Sequence, residues 1–409
     1  MAIVEYRFLV GSPSLYFIPI VTEAPEDGVA GTAFTTWLMD SLAGRALLPT
    51  GMSWQRLAPA GASDYPVGPG RLLGLEQSNT SIRYGEHSLI KVNRRLTAGP
   101  SPEAELAIVI ARSPDSSFAA ETRGVLTIEG MAEDPLCVAI CSAYVPNGGD
   151  AWSFLLRSMT DNADSDGTMD GEIRRIADVT VAMHIGLSSE HSLPEVAPEP
   201  TQLADIERWE TRSLESLRKL EEFVASSRLE SLPENSRDLV RQLPGALPEV
   251  RAQLHGLHGL LGTDRIRIHG DFHLGQVLRT PDGRYVVVDF DGEPDRPLAE
   301  RREKYSALRD LAGMLRSFDY ARGTIEHSVP NTSPEGWCDW QKRIRKIFLE
   351  RYQDQVATHP VRLIPEGDED FGRALRALEL EKAIYECGYE LSNRPDWLWL
   401  PLSTLVNFS

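Results

Sequence analysis

Two acidic segments flanking a short predicted β-hairpin constrain this chain more than any other feature. Asp271 lies in the stretch HGDFHLGQVLRT, and Asp289 and Asp291 lie in the stretch VVVDFDGEP that follows it. The Pro-Asp-Gly sequence at 281–283 predicts a tight turn between strands Gln276–Arg279 and Arg284–Asp289. A hairpin brings its two ends together, so we expect Asp271 and Asp289 at the same end. Neighbouring buried acids repel each other and lose hydration, and a divalent cation is the simplest compensation.

This arrangement of acids suits phosphoryl transfer. One acid must orient the attacking hydroxyl, and a second acid with a neutral oxygen must hold a metal ion against the phosphates. Asp271 is the candidate catalytic acid, and Asp289 is the candidate metal ligand. Gln276 and Asp291 are further candidate ligands. Because all these donors are oxygens, the pattern favours Mg²⁺ over zinc.

Composition narrows the class of protein. The 409 residues are enough for two or three domains, and 42 basic against 60 acidic residues leave a net charge of −18. Such a charge argues against nucleic-acid and membrane partners, both of which require a basic surface. The sequence contains no long apolar run, and its first residues alternate like a strand and not like a signal peptide. We interpret the four cysteines as reduced thiols of a cytoplasmic protein.

The chain changes character from β-rich to helical. We predict three parts: an N-terminal cap subdomain at 1–70, a β-rich N-lobe at 71–145 and a helical C-lobe at 146–409. Within the N-lobe, the pattern predicts strands at Arg71–Leu75 and Ser81–Val92, followed by a helix from Pro102. This order predicts an α+β, bilobal fold with ligands bound in a cleft between the lobes.

The N-lobe supplies candidate ATP-binding residues. Lys91 follows apolar strand residues, and a strand lysine paired with a helix glutamate positions nucleotide phosphates in kinases. We favour Glu105 as its partner, with Glu103 as the rival. In the loop EQSNTS, Ser78, Asn79 and Thr80 offer hydroxyl, amide and backbone donors to phosphate. We expect backbone groups at Ala143 and Val145 to contact the adenine ring. This expectation rests only on their position in the chain, between the predicted N-lobe and C-lobe.

Several longer stretches carry a family resemblance. HGDFHLGQVLRT, VVVDFDGEPDRPLAERREKYSALRDLAGMLRSFDYA, EQSNTSIRYGEHSLIKVNRRL and LELEKAIYECGYELSNRPDWLWLPL together resemble the actinobacterial maltokinases and their relatives. These kinases have the aminoglycoside-phosphotransferase, or protein-kinase-like, fold. The resemblance spans roughly residues 71–409. It implies a bilobal kinase with ATP and Mg²⁺ as cofactors, a sugar on the C-lobe and an extra N-terminal cap. It assigns catalysis to Asp271, metal binding to Gln276 and Asp289, and phosphate contact to Lys91.

Two departures from the maltokinase pattern favour a different sugar. Maltokinases read Asp-Phe-Glu-Gly, whereas this chain has Asp291 in place of that Glu, and the first seventy residues lack the maltokinase cap segment. The sister group of glucosamine kinases fits better, which implies phosphorylation of the 6-hydroxyl of glucosamine. Maltokinase activity, aminoglycoside phosphorylation and a catalytically inactive kinase-like binding module stay open as alternatives.

An amino sugar requires a carboxylate for its ammonium group. The helix predicted near the C-terminus offers Glu386 and Glu390, beside Tyr385, although Lys382–Glu386 also reads as an ordinary surface ion pair. His273 is a further candidate sugar contact. Asp310 is a more ambiguous one, because its helix follows the metal-binding segment directly.

Two other patterns indicate structure and not chemistry. An apolar stripe predicts a core helix after an N-cap at Ser306, with inward-facing residues Leu308, Leu311, Ala312, Leu315 and Phe318. His255 and His258 have a metal-like spacing, but the Gly and Leu residues around them predict a helix end. We therefore interpret both histidines as packing or surface residues.

Overall fold

The computed structural model describes residues 2–6, 14–21, 24–57, 65–75, 79–160, 168–226, 232–328 and 334–407. The chain forms two compact units. The first unit combines Met1–Gly148 with Leu278–Glu303, and the second combines Gly149–Val277 with Lys304–Ser409. The segment that carries Asp289 and Asp291 therefore folds with the N-terminal residues. The predicted division into three consecutive parts had placed this segment in the C-lobe.

Strands predominate in the first 150 residues and helices in the remainder, as expected. The strands are β1 Ala2–Tyr6, β2 Ser14–Ile18, β3 Ile20–Val21, β4 Ala24–Asp27, β5 Met52–Arg56, β6 Arg71–Leu75, β7 Asn79–Tyr84, β8 Ser88–Asn93, β9 Arg95–Leu96, β10 Thr122–Ile128, β11 Leu136–Ala143, β12 Glu199–Pro200, β13 Asp264–Arg265, β14 Val277–Arg279 and β15 Tyr285–Val287. The α-helices are α1 Thr32–Leu42, α2 Pro102–Arg112, α3 Ala151–Thr160, α4 Thr168–Leu187, α5 Leu203–Ser226, α6 Glu234–Leu254, α7 Leu298–Arg301, α8 Leu308–Ser328, α9 Pro334–Val356, α10 Asp368–Asn393 and α11 Trp399–Val406.

The first unit is built on an antiparallel sheet of order β5-β10-β11-β8-β7-β6. Its core joins α1, through Leu38 and Leu42, to Ile82 and Ile90 of the sheet, all of which are buried. Strand β5 was not predicted, and it pairs with β10. Helix α1 thus shares a core, and strand β5 a sheet, with the rest of the first unit, whereas β1 and β2 form a separate sheet with β9. The status of residues 1–70 as a separate cap subdomain stays a prediction.

The prediction of one continuous strand over Ser81–Val92 is wrong. The chain forms a hairpin there, β7 pairing with β8 across a turn at Gly85, whose φ is +59°. A side chain at this φ would be strained, so the glycine permits the turn. Buried residues alternate on both strands, with Ile82 and Ile90 directly paired. This register places Lys91 opposite Ser81 on one side and Ile140 on the other.

The second unit is mostly helical, as predicted. The N-cap prediction for Ser306 is confirmed, because its Oγ accepts a hydrogen bond from the Leu308 amide (3.3 Å). Helix α8 is a core helix, and the residues of its predicted stripe are completely buried: Leu308, Leu311, Ala312, Leu315 and Phe318. A second core joins helices α5, α6, α10 and α11 through Leu217, Leu243, Leu380 and Leu402. None of the described helices combines the length and apolar character needed to cross a membrane.

The predicted hairpin around the Pro-Asp-Gly turn is present. Strands β14 and β15 pair, and the Gly283 amide closes the turn on the Thr280 carbonyl (2.9 Å). In the first unit, β15 is anchored further by the Val287 amide, which donates to the Phe118 carbonyl (2.7 Å). This anchor holds the strand that leads directly into Asp289.

The four cysteines are free thiols that differ in access to solvent. Cys137, Cys141 and Cys387 are buried, whereas Cys338 is half-buried. Burial raises the pKa of Cys137 and of Cys141 to about 12. Because the thiolate is the reactive form, buried thiols with a raised pKa react slowly.

We expect a thiol reagent to label one cysteine quickly in the native protein and all four after denaturation. The measurement is a spectrophotometric thiol titration with and without denaturant. A Cys338→Ser variant should lose the fast phase and keep the slow thiols. Rapid labelling of two or more thiols in the native wild-type protein would contradict the described burial.

Candidate active site

In the first unit, an ammonium group lies between two carboxylates. Lys91 on β8 contacts Glu103 on α2 (Nζ to Oε2, 3.0 Å) and Asp289 after β15 (Nζ to Oδ1, 2.5 Å). Burial disfavours the charged lysine, but Glu103 and Asp289 outweigh burial and raise the pKa of Lys91. Burial also raises the pKa of Glu103, and Lys91 opposes that shift. The ion pairs thus hold a permanent positive charge beside Asp289.

The predicted pairing of Lys91 with Glu105 is wrong. Glu103 is the partner, and Glu105 instead makes a two-pronged ion pair with Arg302 (3.0 and 2.6 Å). Positions two apart on an α-helix point in nearly opposite directions. Glu103 shares the inward face of α2 with Leu106 and Ile110, which are buried, and Glu105 does not. That apolar stripe is the signal in the sequence that distinguishes the two glutamates.

A cavity of about 260 Å³ opens beside this cluster, entirely within the first unit. Its lining joins both sheet and helix residues with the segment after β15: Ser81, Leu89, Lys91, Glu103, Ala107, Ile110, Ala119, Ala120, Thr122, Ile140, Ser142, Val287, Val288, Asp289 and Phe290. The walls are mainly apolar, and the charged groups meet at one place. Small-molecule pockets commonly have this composition.

Asp289 has an unusual backbone. Among the described residues it is the one non-glycine with a positive φ, at 66°. Such conformations are sparsely populated, and in folded proteins they concentrate at functional sites. The conformation turns the chain sharply after β15, and the Asp289 side chain keeps 43 % of its surface exposed while it contacts Lys91. Its carboxylate is therefore accessible as a ligand.

Asp291, the other predicted ligand of this segment, has a different environment. Its Oδ2 and its carbonyl oxygen both accept hydrogen bonds from Nη1 of Arg301 (2.8 and 3.0 Å). Gly292, with a φ of +74°, follows it. Arg301 therefore stabilises this turn, and one oxygen of Asp291 is already engaged.

Two of the three residues predicted to form a phosphate loop, Asn79 and Thr80, belong to strand β7. Ser78 lies outside the described residues, whereas Asn79 and Thr80 are strand residues that pair with Asn93 and Val92. Thr80 is 1 % exposed, so the prediction that its hydroxyl faces a phosphate is wrong. Asn79 begins β7 and is half-buried.

The predicted adenine-facing backbone lies at the end of β11. The Ala143 amide already donates to the Glu121 carbonyl (2.8 Å), and the Val145 carbonyl accepts from the Asn147 side chain (2.8 Å). A carbonyl oxygen has two lone pairs, so Val145 retains one acceptor. The adenine contact at these residues stays a prediction.

In the second unit, the His-Gly-Asp turn at residues 269–271 packs against helix α8. The carboxylate of Asp310 accepts the His269 amide (2.8 Å) and the Gly270 amide (2.9 Å). One turn along α8, a side chain at Gly313 would approach the Phe272 carbonyl to 2.6 Å, so only glycine permits this close contact. Ser317 then accepts the Leu274 amide (3.1 Å). One face of α8 thereby fixes the turn that carries Asp271.

Asp310 is a positioning residue, and the prediction that it contacts substrate is wrong. It is 1 % exposed and faces Nε2 of His184 (3.2 Å), whose Nδ1 contacts the Tyr352 hydroxyl (2.7 Å). Burial alone would raise the pKa of Asp310, but the hydrogen bond and charge of His184, with His269 and the Gly270 amide, bring that pKa below its ordinary value. Asp310 therefore stays ionised beneath the turn.

Asp271 has a cationic partner that the sequence analysis missed. Lys382 on α10 places its Nζ 3.0 Å from Oδ1 of Asp271, and the same ammonium lies 5.1 Å from the ring centre of Tyr385. The Asp271 side chain remains 23 % exposed. More than a hundred residues separate the pair along the chain, so no local pattern links them. Tyr385 is a predicted substrate contact. Its ring lies near the ammonium of Lys382, which in turn contacts Asp271.

The two other predicted residues of this loop lie close to Asp271 in sequence. His273 caps the 3₁₀ helix Leu274–Gln276 by accepting the Gly275 amide on Nδ1 (3.1 Å). The Gln276 amide donates to the His273 carbonyl (2.9 Å). Both side chains are half-buried, and both roles stay predictions.

The remaining predicted sugar contacts on α10 are internal ion pairs. Glu386 accepts two hydrogen bonds from Arg316 on α8 (2.9 and 2.7 Å). Glu390, which is 1 % exposed, accepts from the Tyr320 hydroxyl (2.9 Å) and from Arg394 (2.7 Å). The prediction that these glutamates bind a sugar ammonium is wrong, and so is the alternative of a solvated surface pair between Lys382 and Glu386, because Glu386 is buried. A buried carboxylate on a packed helix needs its own partner.

Comparison with known proteins agrees with this geometry. The model of the phosphotransferase enzyme family matches residues 156–292, a range that contains Asp271, Gln276, Asp289 and Asp291. A glucosamine kinase of Streptacidiphilus jiangxiensis is 30% identical over 348 residues, which are 84% of this chain and 74% of the relative. A glucosamine kinase of Mycolicibacterium smegmatis is 26% identical over 335 residues, 82% and 78% of the two chains.

A solved structure extends the similarity to the fold. A glucosamine kinase in complex with glucosamine, ADP and inorganic phosphate superposes with a TM-score of 0.74 and 25% identity, over 97% of this chain and 88% of the other. This chain belongs to the phosphotransferase family of the glucosamine kinases. The predicted protein-kinase-like fold and the predicted kinship with glucosamine kinases are confirmed.

Family membership makes the chain a phosphotransferase, and it identifies the two clusters as the groups to test. The chain has both the lysine cluster of the first unit and the Asp271 turn of the second unit. An inactive binding module would need neither, so the family assignment disfavours that alternative.

We expect Asp310→Asn to destabilise the second unit by about 2–4 kcal/mol at neutral pH, because an amide NH₂ would face a backbone N–H in a buried site. Since the pKa of Asp310 is lowered on folding, the wild-type advantage is present above about pH 4 and lost as pH falls through the folded value. Urea unfolding at pH 7 and below pH 4 measures both effects. Asp238→Asn, on an exposed aspartate of α6, is the control. If the wild type and Asp310→Asn differed by the same free energy of unfolding at both pH values, Asp310 would not be an ionised buried acid.

Proposed function

We propose that this protein transfers the γ-phosphate of ATP to the 6-hydroxyl of glucosamine in a Mg²⁺-dependent reaction. The observation that carries the proposal is the Lys91–Glu103–Asp289 cluster, which holds a partly buried cation beside an accessible carboxylate. Kinases use this combination to position nucleotide phosphates. The substrate follows from the names of the relatives and from the ligands of the solved glucosamine kinase.

In the first unit, Lys91 supplies positive charge for the phosphates. Its two carboxylate partners keep it protonated and restrict its position, which favours electrostatic stabilisation without reorganisation during the reaction. The adjacent cavity of about 260 Å³ suits part of a nucleotide, because its walls are apolar and its charges converge.

The residues present fit a magnesium ion. Asp289 presents an exposed carboxylate from a strained backbone, and oxygen ligands from carboxylates are those that Mg²⁺ prefers. We assign Asp289 as a holder of the ion, and the role of Gln276 as a neutral ligand stays a prediction from the sequence. When bound, Mg²⁺ would neutralise charge on the phosphates.

In the second unit, Asp271 is the candidate base. The hydroxyl proton of the sugar moves to the Asp271 carboxylate as the sugar oxygen bonds to the γ-phosphorus. The bond from that phosphorus to the bridging oxygen breaks, and ADP leaves with the electron pair. Lys382 contacts one carboxylate oxygen of Asp271, so we assign it as a positioning residue that orients the other oxygen.

The first experiment measures ADP release with ATP, Mg²⁺ and equal concentrations of glucosamine, glucose, N-acetylglucosamine and maltose. We expect strong turnover on glucosamine and far weaker turnover on glucose, because only the amino sugar carries an ammonium charge. Turnover on maltose alone would make the protein a maltokinase, and turnover on aminoglycosides in a parallel panel would favour drug phosphorylation. NMR of the product identifies the phosphorylated hydroxyl.

Asp271→Asn should reduce kcat by a factor of about 10²–10⁴, the usual contribution of an acid–base group, and leave ATP affinity nearly unchanged. ATP affinity is measured by calorimetry in the presence of Mg²⁺. Asp282→Asn, an exposed aspartate of the hairpin turn, is the matched control and should retain activity. Full activity of Asp271→Asn in a clean preparation would remove Asp271 from the mechanism.

Lys382→Met should lower kcat more than it raises KM for ATP, because the change removes a contact to Asp271, the candidate base. Lys382→Arg should restore part of kcat, since a guanidinium keeps the charge and a donor. Steady-state kinetics at saturating sugar separates the two constants. A rise in KM for ATP with an unchanged kcat would show that Lys382 does not act through Asp271.

A further inference from the structure

Two histidines and a glutamate converge on one surface of the second unit, on helices that carry none of the proposed catalytic residues. Glu210 lies on α5, and His255 and His258 lie on the 3₁₀ helix His255–Leu260. Glu210 Oε1 contacts His255 Nδ1 (2.6 Å), and Glu210 Oε2 lies 3.6 Å from His258 Nε2. One ligand atom from each residue lies within 4.8 Å of the others.

The 3₁₀ helix aligns the two imidazoles. A 3₁₀ helix has three residues per turn, so positions three apart face the same direction. His255 and His258 are such a pair, and their ring centres are 4.8 Å apart. On the opposite side of the 3₁₀ helix, Leu257 and Leu260 are completely buried. The backbone geometry thus places both imidazoles toward Glu210 at the surface.

Two glycines hold this helix against α10 by backbone contact. A side chain at Gly256 would approach the Arg373 carbonyl to 2.4 Å, and one at Gly259 would approach the Asp370 carbonyl to 2.6 Å. Glycine therefore permits the two backbones to lie in contact. This packing fixes the backbone that carries both histidines, and the hydrogen bond between His255 and Glu210 holds one imidazole in place before any ion arrives.

The donor set suits a transition-metal dication. Two imidazole nitrogens and one carboxylate oxygen form a well-known zinc ligand set, with bonds of about 2.0–2.2 Å. Donor atoms around a tetrahedral ion with such bonds lie roughly 3.3 Å apart, so rotations of exposed side chains suffice to close the cluster. The fractional exposures of His255 (73%), His258 (37%) and Glu210 (15%) leave room for entry and for a water as the fourth ligand.

We propose that Glu210, His255 and His258 bind Zn²⁺ and that the ion links α5 to the 3₁₀ helix. The ligand set differs from that of the nucleotide metal, since imidazole nitrogen favours Zn²⁺ whereas an all-oxygen set favours Mg²⁺. The link would brace the packing of the 3₁₀ helix on α10. The proposal does not depend on the sugar substrate or on phosphotransfer.

Calorimetric titration of the full-length protein with Zn²⁺, in buffer with excess Mg²⁺, tests the proposal. The Mg²⁺ occupies oxygen-rich sites and leaves the imidazole site to Zn²⁺. We expect one saturable Zn²⁺ per chain and a Zn²⁺-dependent rise in the unfolding temperature, because an ion that binds only the folded state stabilises it. Co²⁺, as a spectroscopic probe, should give visible d–d bands of nitrogen and oxygen ligation without a thiolate charge-transfer band.

His255→Ala, His258→Ala and Glu210→Gln should each abolish the one-to-one binding step and the temperature shift, and all three variants should keep wild-type kinase activity. His191→Ala is the control, because it removes an exposed imidazole away from the cluster and should bind Zn²⁺ like the wild type. Equal binding by the wild type and the His255→Ala/His258→Ala double variant would overturn the proposal. So would an absence of Zn²⁺ binding to the wild type, which would leave the cluster as a hydrogen-bonded ion pair.

Discussion

The hydrogen bonds from two backbone amides to the buried Asp310 carboxylate are the constraint on which the second unit's chemistry depends. They convert a flexible His-Gly-Asp sequence into a single turn, with Asp271 presented from a defined backbone. Burying that carboxylate is unfavourable unless both of its oxygens are hydrogen-bonded, and His184 supplies a third partner. Tyr352, from α9, then fixes the other nitrogen of His184. The partly exposed Asp271, the candidate catalytic residue, is thus positioned by an acid in the core.

The first unit meets the opposite electrostatic demand. Its central charge is the partly buried ammonium of Lys91, which contacts two carboxylates. Two carboxylates against one ammonium leave a net negative charge, which favours a further cation near Asp289. The phosphates of a nucleotide are negative and are attracted to Lys91. Each ligand therefore supplies the charge that the other lacks. This reciprocity is the physical reason why a nucleotide and its metal ion bind together at such sites.

Local patterns in the sequence predicted those parts of the site that depend on neighbours along the chain. The hairpin around residues 281–283, the apolar stripe of α8 and the cap at Ser306 all follow from turn chemistry and helical periodicity. The turn at Gly85 was missed because alternation continues through both strands. The partner of Lys91 was misassigned because the choice between Glu103 and Glu105 depends on which face of α2 is buried.

Contacts across long stretches of chain could not be derived in this way. Lys382 reaches Asp271 from α10, and strand β5 joins the sheet through β10. Only tertiary packing creates such pairs, and a single sequence contains no record of them. The two histidines at 255 and 258 are an intermediate case, since their spacing was evident whereas the glutamate that completes the cluster comes from a different helix.

Helix α10 shows why acidic residues in a sequence are a poor guide to ligand contacts. Glu379, Glu386 and Glu390 are all buried, and each pairs with an arginine. Breaking such a pair leaves an uncompensated buried charge and costs about 3–5 kcal/mol. A carboxylate so engaged cannot exchange its arginine for a sugar ammonium without a similar loss. The pairs instead hold α10 in one position, and with it Lys382, so these acids influence Asp271 through the rigidity of the helix. The paired glutamates of α10 are accordingly structural acids, although their number in the sequence favoured a role in binding an ammonium group.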